Sequence, residues 1–337
     1  MKAMVLERTK APLVLREMDA PPLGEGEALV KVKACGVCAT DVKIAEGTGP
    51  KARLPVVLGH EGAGEVAEVK GRAWPRAGQR VSVHPHIYCG RCQNCIEGVE
   101  NVCTDVRGSL GMTRDGALAE YLVCPASNLV PLPDSMSFED GALAGGTVAV
   151  PFSAIRRLGS LAARWTLVFG AGALGLNAVQ ILKAVGAKVI VVGRREARLK
   201  AAREMGADEV IDSAEGDYVE PVKKATGGDG VDVALDMAGA AVEVPRLAKS
   251  LRRGGRLVII GYSSEDFRAP YQTIALDALQ ILGSRSYTRQ DLRGAVALVA
   301  AGKVKPQVSS RFPLEGANEA LSVVRGAGVV GRVVVTP

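Results

Sequence analysis

The chain has 337 residues, 47% hydrophobic and 23% charged, with a formal net charge of +6; that length suits two globular domains better than one core. No stretch approaches the roughly 18 consecutive apolar residues of a membrane span. The opening Met1–Arg8 reaches charge too early for a secretory leader, so the cytoplasm is the expected location. The charge is dispersed and aromatic residues are only 4%, which argues against a nucleic-acid partner and favours a small molecule.

Through residue 150 the pattern is one of short apolar runs broken by glycine and proline, among them Ala28–Val32, Glu65–Val69 and Arg80–Val83. Such runs predict a twisted, barrel-like β domain. The texture changes near Pro151. Thr166–Phe169 reads as a short buried strand, and Gly170–Gly175 is glycine-rich. Leu174, Ala178, Ile181, Leu182 and Val185 then recur at helical spacing until Gly186 stops the helix. Lys188–Val192, Val231–Leu235 and Arg256–Ile260 are further predicted strands. Strands alternating with helices predict a parallel, doubly wound sheet, hence an α/β fold. From about Tyr287 the tail carries one predicted helix, Leu292–Ala301, and a final strand, Gly331–Val335.

There are seven cysteines, six of them in two short clusters. An odd count without a leader points to metal ligation rather than disulfides. Cys89, Cys92, Cys95 and Cys103 follow C-x2-C-x2-C-x7-C spacing within a loop of small and polar residues. Four thiolates so close supply the tetrahedral, closed set of a structural zinc, with an iron–sulfur cluster as the competitor. A second, looser set is Cys35, Cys38, Thr40 and Asp41, followed by His60 and Glu61. Alone, these read as core thiols and a satisfied histidine.

Val168-Phe169-Gly170-Ala171-Gly172-Ala173-Leu174-Gly175 is a strand, a G-x-G-x-x-G turn and a helix start. That context makes it a dinucleotide loop, with the helix N-terminus facing a pyrophosphate. At the end of the next strand stands Gly193, where a carboxylate would grip a ribose 2′-hydroxyl, followed by Arg194, Arg195 and Arg198. A missing carboxylate with arginines beside it favours the 2′-phosphate of NADP(H) over NAD(H).

The order of loose pair, cysteine lobe and glycine loop, with Gly59-His60-Glu61-Gly62-Ala63-Gly64, Gly302–Pro306 and Gly331–Val335, resembles the zinc-dependent medium-chain alcohol dehydrogenases over nearly the whole chain. The resemblance implies a GroES-like β-barrel catalytic domain of residues 1–150 and 287–337, with a structural-zinc lobe near 86–105, and a Rossmann cofactor domain of residues 151–286. It implies Cys38 and His60 as ligands of a catalytic zinc and Asp41 as the acceptor that orients the imidazole. Thr40 takes the place of the hydroxyl that bonds the substrate oxygen, and Glu61 that of an alternative metal ligand. Arg332 matches a position that reaches the pyrophosphate. The substrate is then an alcohol, ketone or aldehyde, and the assembly a homodimer or homotetramer, with residues 274–283 adding a strand across a two-fold.

The sequence departs from the family pattern at two points. The third ligand position falls on Gly146, or on Gly145, and neither carries a donor side chain; Glu61 is the candidate to close the site. Lys43 stands where several members end their proton relay in a histidine. His84 and His86, the other histidines, flank Pro85 and read as local structure. A zinc-independent quinone or enone reductase, or a non-catalytic NADP(H)-binding relic, are the competing readings.

Overall fold

The computed structural model describes residues 1–71, 74–326 and 328–337. It divides into two compact units, one of Met1–Ala149, Tyr287–Gly302 and Pro306–Pro337, the other of Val150–Ser286 and Lys303–Lys305.

The first unit is built on a seven-stranded sheet. Its centre is the long strand Glu27–Val37, paired antiparallel with Glu61–Val69, Tyr121–Pro125 and Arg332–Thr336. Ala28, Val30, Val32 and Ala34 point into the core while Lys31 faces solvent, the period of two that a half-buried strand requires. From Ala34 to Val37 the strand is buried on both faces, and there the sheet meets the site described below. A three-stranded sheet of Val14–Glu17, Lys2–Leu6 and Val56–Val57 stands beside it. Met4, Leu6, Val30, Val81, Leu118, Leu129 and Val335 pack in one core.

The second unit is a six-stranded, all-parallel sheet. Its order is Glu209–Asp212, Lys188–Gly193, Trp165–Phe169, Val231–Asp236, Leu251–Ile259 and Gln280–Gly283. The sheet grows outward in both directions from Trp165–Phe169, so its order reverses between that strand and Val231–Asp236. Open parallel sheets bind ligands at such a switch point, and the glycine-rich turn follows that strand. Helix Ala173–Ala184 comes next and ends where Gly186 takes φ +79°.

The sequence pattern did not foresee two helical features. A helix, Ala39–Glu46, follows the central strand; it is capped by Cys38 and Asp41, so its start signal was read as metal chemistry. Residues 138–156 are helical throughout, as Phe138–Leu143, a π turn Ala144–Val148 and Ala149–Arg156. Three glycines and a turn wider than 3.6 residues erase the apolar period there. The strand expected from Arg256 begins at Leu251. Among the described residues no helix is long and apolar enough to cross a membrane.

Candidate active site and cofactor loop

Cys38 immediately follows the central strand and caps helix Ala39–Glu46; His60 immediately precedes strand Glu61–Val69. The antiparallel register sets Gly36 against Glu61, so two residues 22 apart in sequence meet across a strand pair. Cys38 Sγ lies 3.4 Å from His60 Nε2. Zinc bonded at about 2.3 Å to sulfur and 2.05 Å to nitrogen holds tetrahedral donors about 3.5 Å apart, so the pair fits that ion. Asp41 Oδ1 takes the opposite edge of the ring, accepting from Nδ1–H at 3.1 Å, and Oδ2 accepts from the Cys38 amide at 2.9 Å. The aspartate therefore fixes the tautomer and turns Nε2 toward the thiol. Burial disfavours charge on His60, but the facing Asp41 and Cys38 outweigh it and hold the imidazole well above its usual value. Burial likewise opposes ionisation of Asp41, yet His60 brings its carboxyl below the usual range.

The other residues expected here fall around this pair. The Thr40 amide donates to Cys38 Sγ at 3.2 Å. Lys43 is half-buried one turn further along the same helix. Glu61 is buried, with Oε1 3.9 Å from His60 Nε2. Arg332, expected at a pyrophosphate, lies on the strand beside the central one and pairs with Glu61 at 3.1 Å.

The four lobe cysteines converge. Their sulfurs are 3.9 Å (Cys89–Cys95), 3.8 Å (Cys92–Cys103) and 3.5 Å (Cys89–Cys103) apart, against about 3.8 Å between thiolates around one zinc. Cys89 Sγ accepts from the Arg91 and Cys92 amides, and Cys103 Sγ from those of Cys89 and Asp105. Amides aimed at sulfur favour the thiolate, and those of Arg91 and Cys92 hold the Cys89 thiol below its usual range.

Sequence reasoning missed what anchors this lobe. Glu100, inside it, accepts from the Arg289 amide, Nε and Nη2 at 2.8, 2.9 and 2.6 Å. Arg289 opens helix Arg289–Ala300, capped by Thr288 and Asp291. His84 is buried; its Nδ1 accepts from the His86 amide and its Nε2 donates to the Tyr287 carbonyl. These partners lie far apart in the chain, and only the generic polar types were visible.

In the second unit, Gly170 has φ +101°, and a Cβ on Gly175 would stand 1.9 Å from the Gly170 carbonyl oxygen, so both positions admit only glycine. Gly172 starts helix Ala173–Ala184 with no side-chain cap, and nothing among the described residues lies within 4 Å of where its Cβ would be. As first-turn amides of that helix, those of Ala173, Leu174 and Gly175 have no intrahelical partner and can receive an anion. Gly193 ends the neighbouring strand. Arg194 and Arg195 are exposed, and Arg198 is half-buried. Burial, with the charge of Arg195 second, lowers the Arg198 pKa. Arg195 adopts φ +76°, ψ 110°, a conformation only glycine takes without strain.

Comparison with known proteins agrees with this architecture. Residues 24–134 match the alcohol dehydrogenase GroES-like domain and residues 173–301 the zinc-binding dehydrogenase domain. The chain belongs to the zinc-type medium-chain dehydrogenase/reductase family, with a GroES-like domain and a parallel-sheet Rossmann domain. An alcohol dehydrogenase of Geobacillus stearothermophilus is 37% identical over 99% of both chains. An NAD-dependent alcohol dehydrogenase of Sulfurisphaera tokodaii is 34% identical over 100% of both. A Sinorhizobium meliloti chain solved bound to NADP superposes with a TM-score of 0.93 at 32% identity, covering 100% of this chain and 99% of that one.

Proposed function

We propose that the protein is a zinc-dependent alcohol dehydrogenase or ketone reductase that moves hydride between NADP(H) and an alcohol/carbonyl pair. The observation that carries this is the Cys38 Sγ–His60 Nε2 approach of 3.4 Å, with the far edge of the ring tied to Asp41. Zinc there supplies Lewis acidity to the substrate oxygen, and the nicotinamide supplies or accepts hydride. Cys38, His60 and Glu61 hold the metal, and Asp41 keeps the imidazole in register. Thr40 holds the hydroxyl proton of an alcohol substrate, and Lys43 ends the relay that carries it to water. Cys89, Cys92, Cys95 and Cys103 hold a second zinc that stabilises the fold.

The amides from Ala173 to Gly175 bind the pyrophosphate, while Arg332, expected at such a group, is engaged with Glu61. Gly193, Arg194, Arg195 and Arg198 select the 2′-phosphate. The edge strand Gln280–Gly283 and exposed Tyr271 and Leu276 support a homo-oligomer built through this edge. A zinc-independent reductase is the second reading, favoured by the lack of a donor side chain at Gly145 and Gly146.

Steady-state oxidation of a panel of alcohols and reduction of ketones and aldehydes, with NADP(H) and NAD(H), tests the reading. Cys38→Ala is expected to abolish turnover and leave cofactor binding intact. Turnover unchanged in that variant would hand the assignment to the zinc-independent reductase.

A further inference from the structure

Glu61 holds its carboxyl group in a costly position. The residue is 2% exposed, and Oε2 has no hydrogen-bond partner among the described residues. Only Oε1 is served, by Arg332. An unpartnered buried polar atom is costly, more so when charged. A cation bound at that carboxylate would remove the penalty.

What keeps the carboxylate there is the absence of two other side chains. A Cβ on Gly36, its cross-strand partner, would stand 2.2 Å from Glu61 Oε2. A Cβ on Gly146 would stand 1.9 Å from Glu61 Cδ and 2.3 Å from Cγ and Oε1. Neither glycine has a positive φ, so the backbone does not require glycine at either position; the space does. Gly146 lies within the π turn, where the Ala149 amide bonds back to the Ala144 carbonyl. Such wide turns gather at functional sites.

We propose that Gly36 and Gly146 are positioning residues: they form a slot that holds the Glu61 carboxylate toward the Cys38–His60 pair, and a side chain at either position turns it away and weakens metal binding. This inference rests on the reading of Cys38, His60 and Glu61 as a metal site. It adds that the glycine at 146 is what allows a carboxylate from the next strand to act as donor. Two strands and a helix, each from a different part of the chain, build the slot.

The experiment titrates zinc against a chromophoric chelator, on full-length protein whose cysteine lobe keeps its own zinc. Gly36→Ala, Gly146→Ala and Glu61→Ala are each expected to weaken zinc at the Cys38 site by about 10- to 100-fold. In the Glu61→Ala background the slot is empty, so adding Gly146→Ala is expected to change nothing further. The same loss from Gly146→Ala with and without the Glu61 side chain overturns the proposal, because the methyl group would then act on the π turn alone. So does unchanged affinity in Gly146→Ala. Wild-type affinity in Glu61→Ala overturns the ligand reading itself, and the slot with it. If Gly146→Ala does not fold, the double variant decides: recovery of folding supports the slot, and continued failure overturns it.

Discussion

Replacing Arg195 by glycine separates the backbone strain at that residue from the work of its charge. Held at φ +76°, ψ 110°, a non-glycine residue stores about 1–3 kcal/mol. Glycine relieves this and costs about 0.5–1 kcal/mol in unfolded-chain entropy. The variant is therefore expected to be as stable as the parent or up to about 2.5 kcal/mol more so. The lost guanidinium acts on ligand alone. A hydrogen bond to a charged group contributes about 1.5–3 kcal/mol, and Arg195 is exposed, so the lower end applies. That predicts NADP+ binding about 10-fold weaker. NAD+ carries a hydroxyl where the phosphate would be, and its affinity should not move. Calorimetric titration with both cofactors, alongside a thermal melt, reads all three quantities. Equal weakening of both cofactors, or of neither, would refute the 2′-phosphate reading. A lower melting temperature would refute the strain argument.

The remaining predictions concern the framework. Gly175→Ala is expected to abolish binding of either cofactor, because its methyl group meets the Gly170 carbonyl at 1.9 Å; retained affinity in a titration would contradict the loop's role. Arg289→Met strands the buried Glu100 carboxylate and should lower stability by about 2–4 kcal/mol in chemical denaturation at neutral pH. Burial alone would raise the Glu100 pKa, but Arg289 brings it below the ordinary value of 4.5. A depressed carboxyl stabilises above its unfolded pKa and loses that contribution as pH falls through the folded one. The gap between wild type and Arg289→Met should therefore narrow below about pH 4.5, and a gap that widens on acidification contradicts the pairing. His84 is pushed down to about 4 by burial from an ordinary value of 6.5. The unfolded chain binds its proton first, so stability is complete above 6.5 and falls between there and about 4, by about 3 kcal/mol in all. An NMR titration showing the His84 ring protonating near 6.5 would contradict its burial as a neutral imidazole.

Local spacing made the cysteine lobe legible, because all four sulfurs come from one short loop. The glycine loop was legible for the same reason: strand, turn and helix are consecutive. The Cys38–His60 pair was different. Its meeting depends on the register that sets Gly36 against Glu61, which neither residue announces, and the family resemblance was needed to join them. The two glycines around Glu61 were beyond reach, since nothing local marks Gly36 and Gly146 reads only as a missing ligand. The Glu100–Arg289 anchor spans 189 positions, and no periodicity records a contact of that range. Helix 138–156 was hidden by its own glycines and π turn.

Elemental analysis of zinc per chain, on wild type and on Cys38→Ala after mild dialysis, tests the central claim most directly. A zinc held by Cys38 and His60 gives about two zincs in the wild type and about one in the variant, the remaining ion held by the cysteine lobe. About one zinc in both would contradict it: the Cys38–His60 pair would then be a hydrogen-bonded thiol and imidazole, and the zinc-independent reductase would take its place.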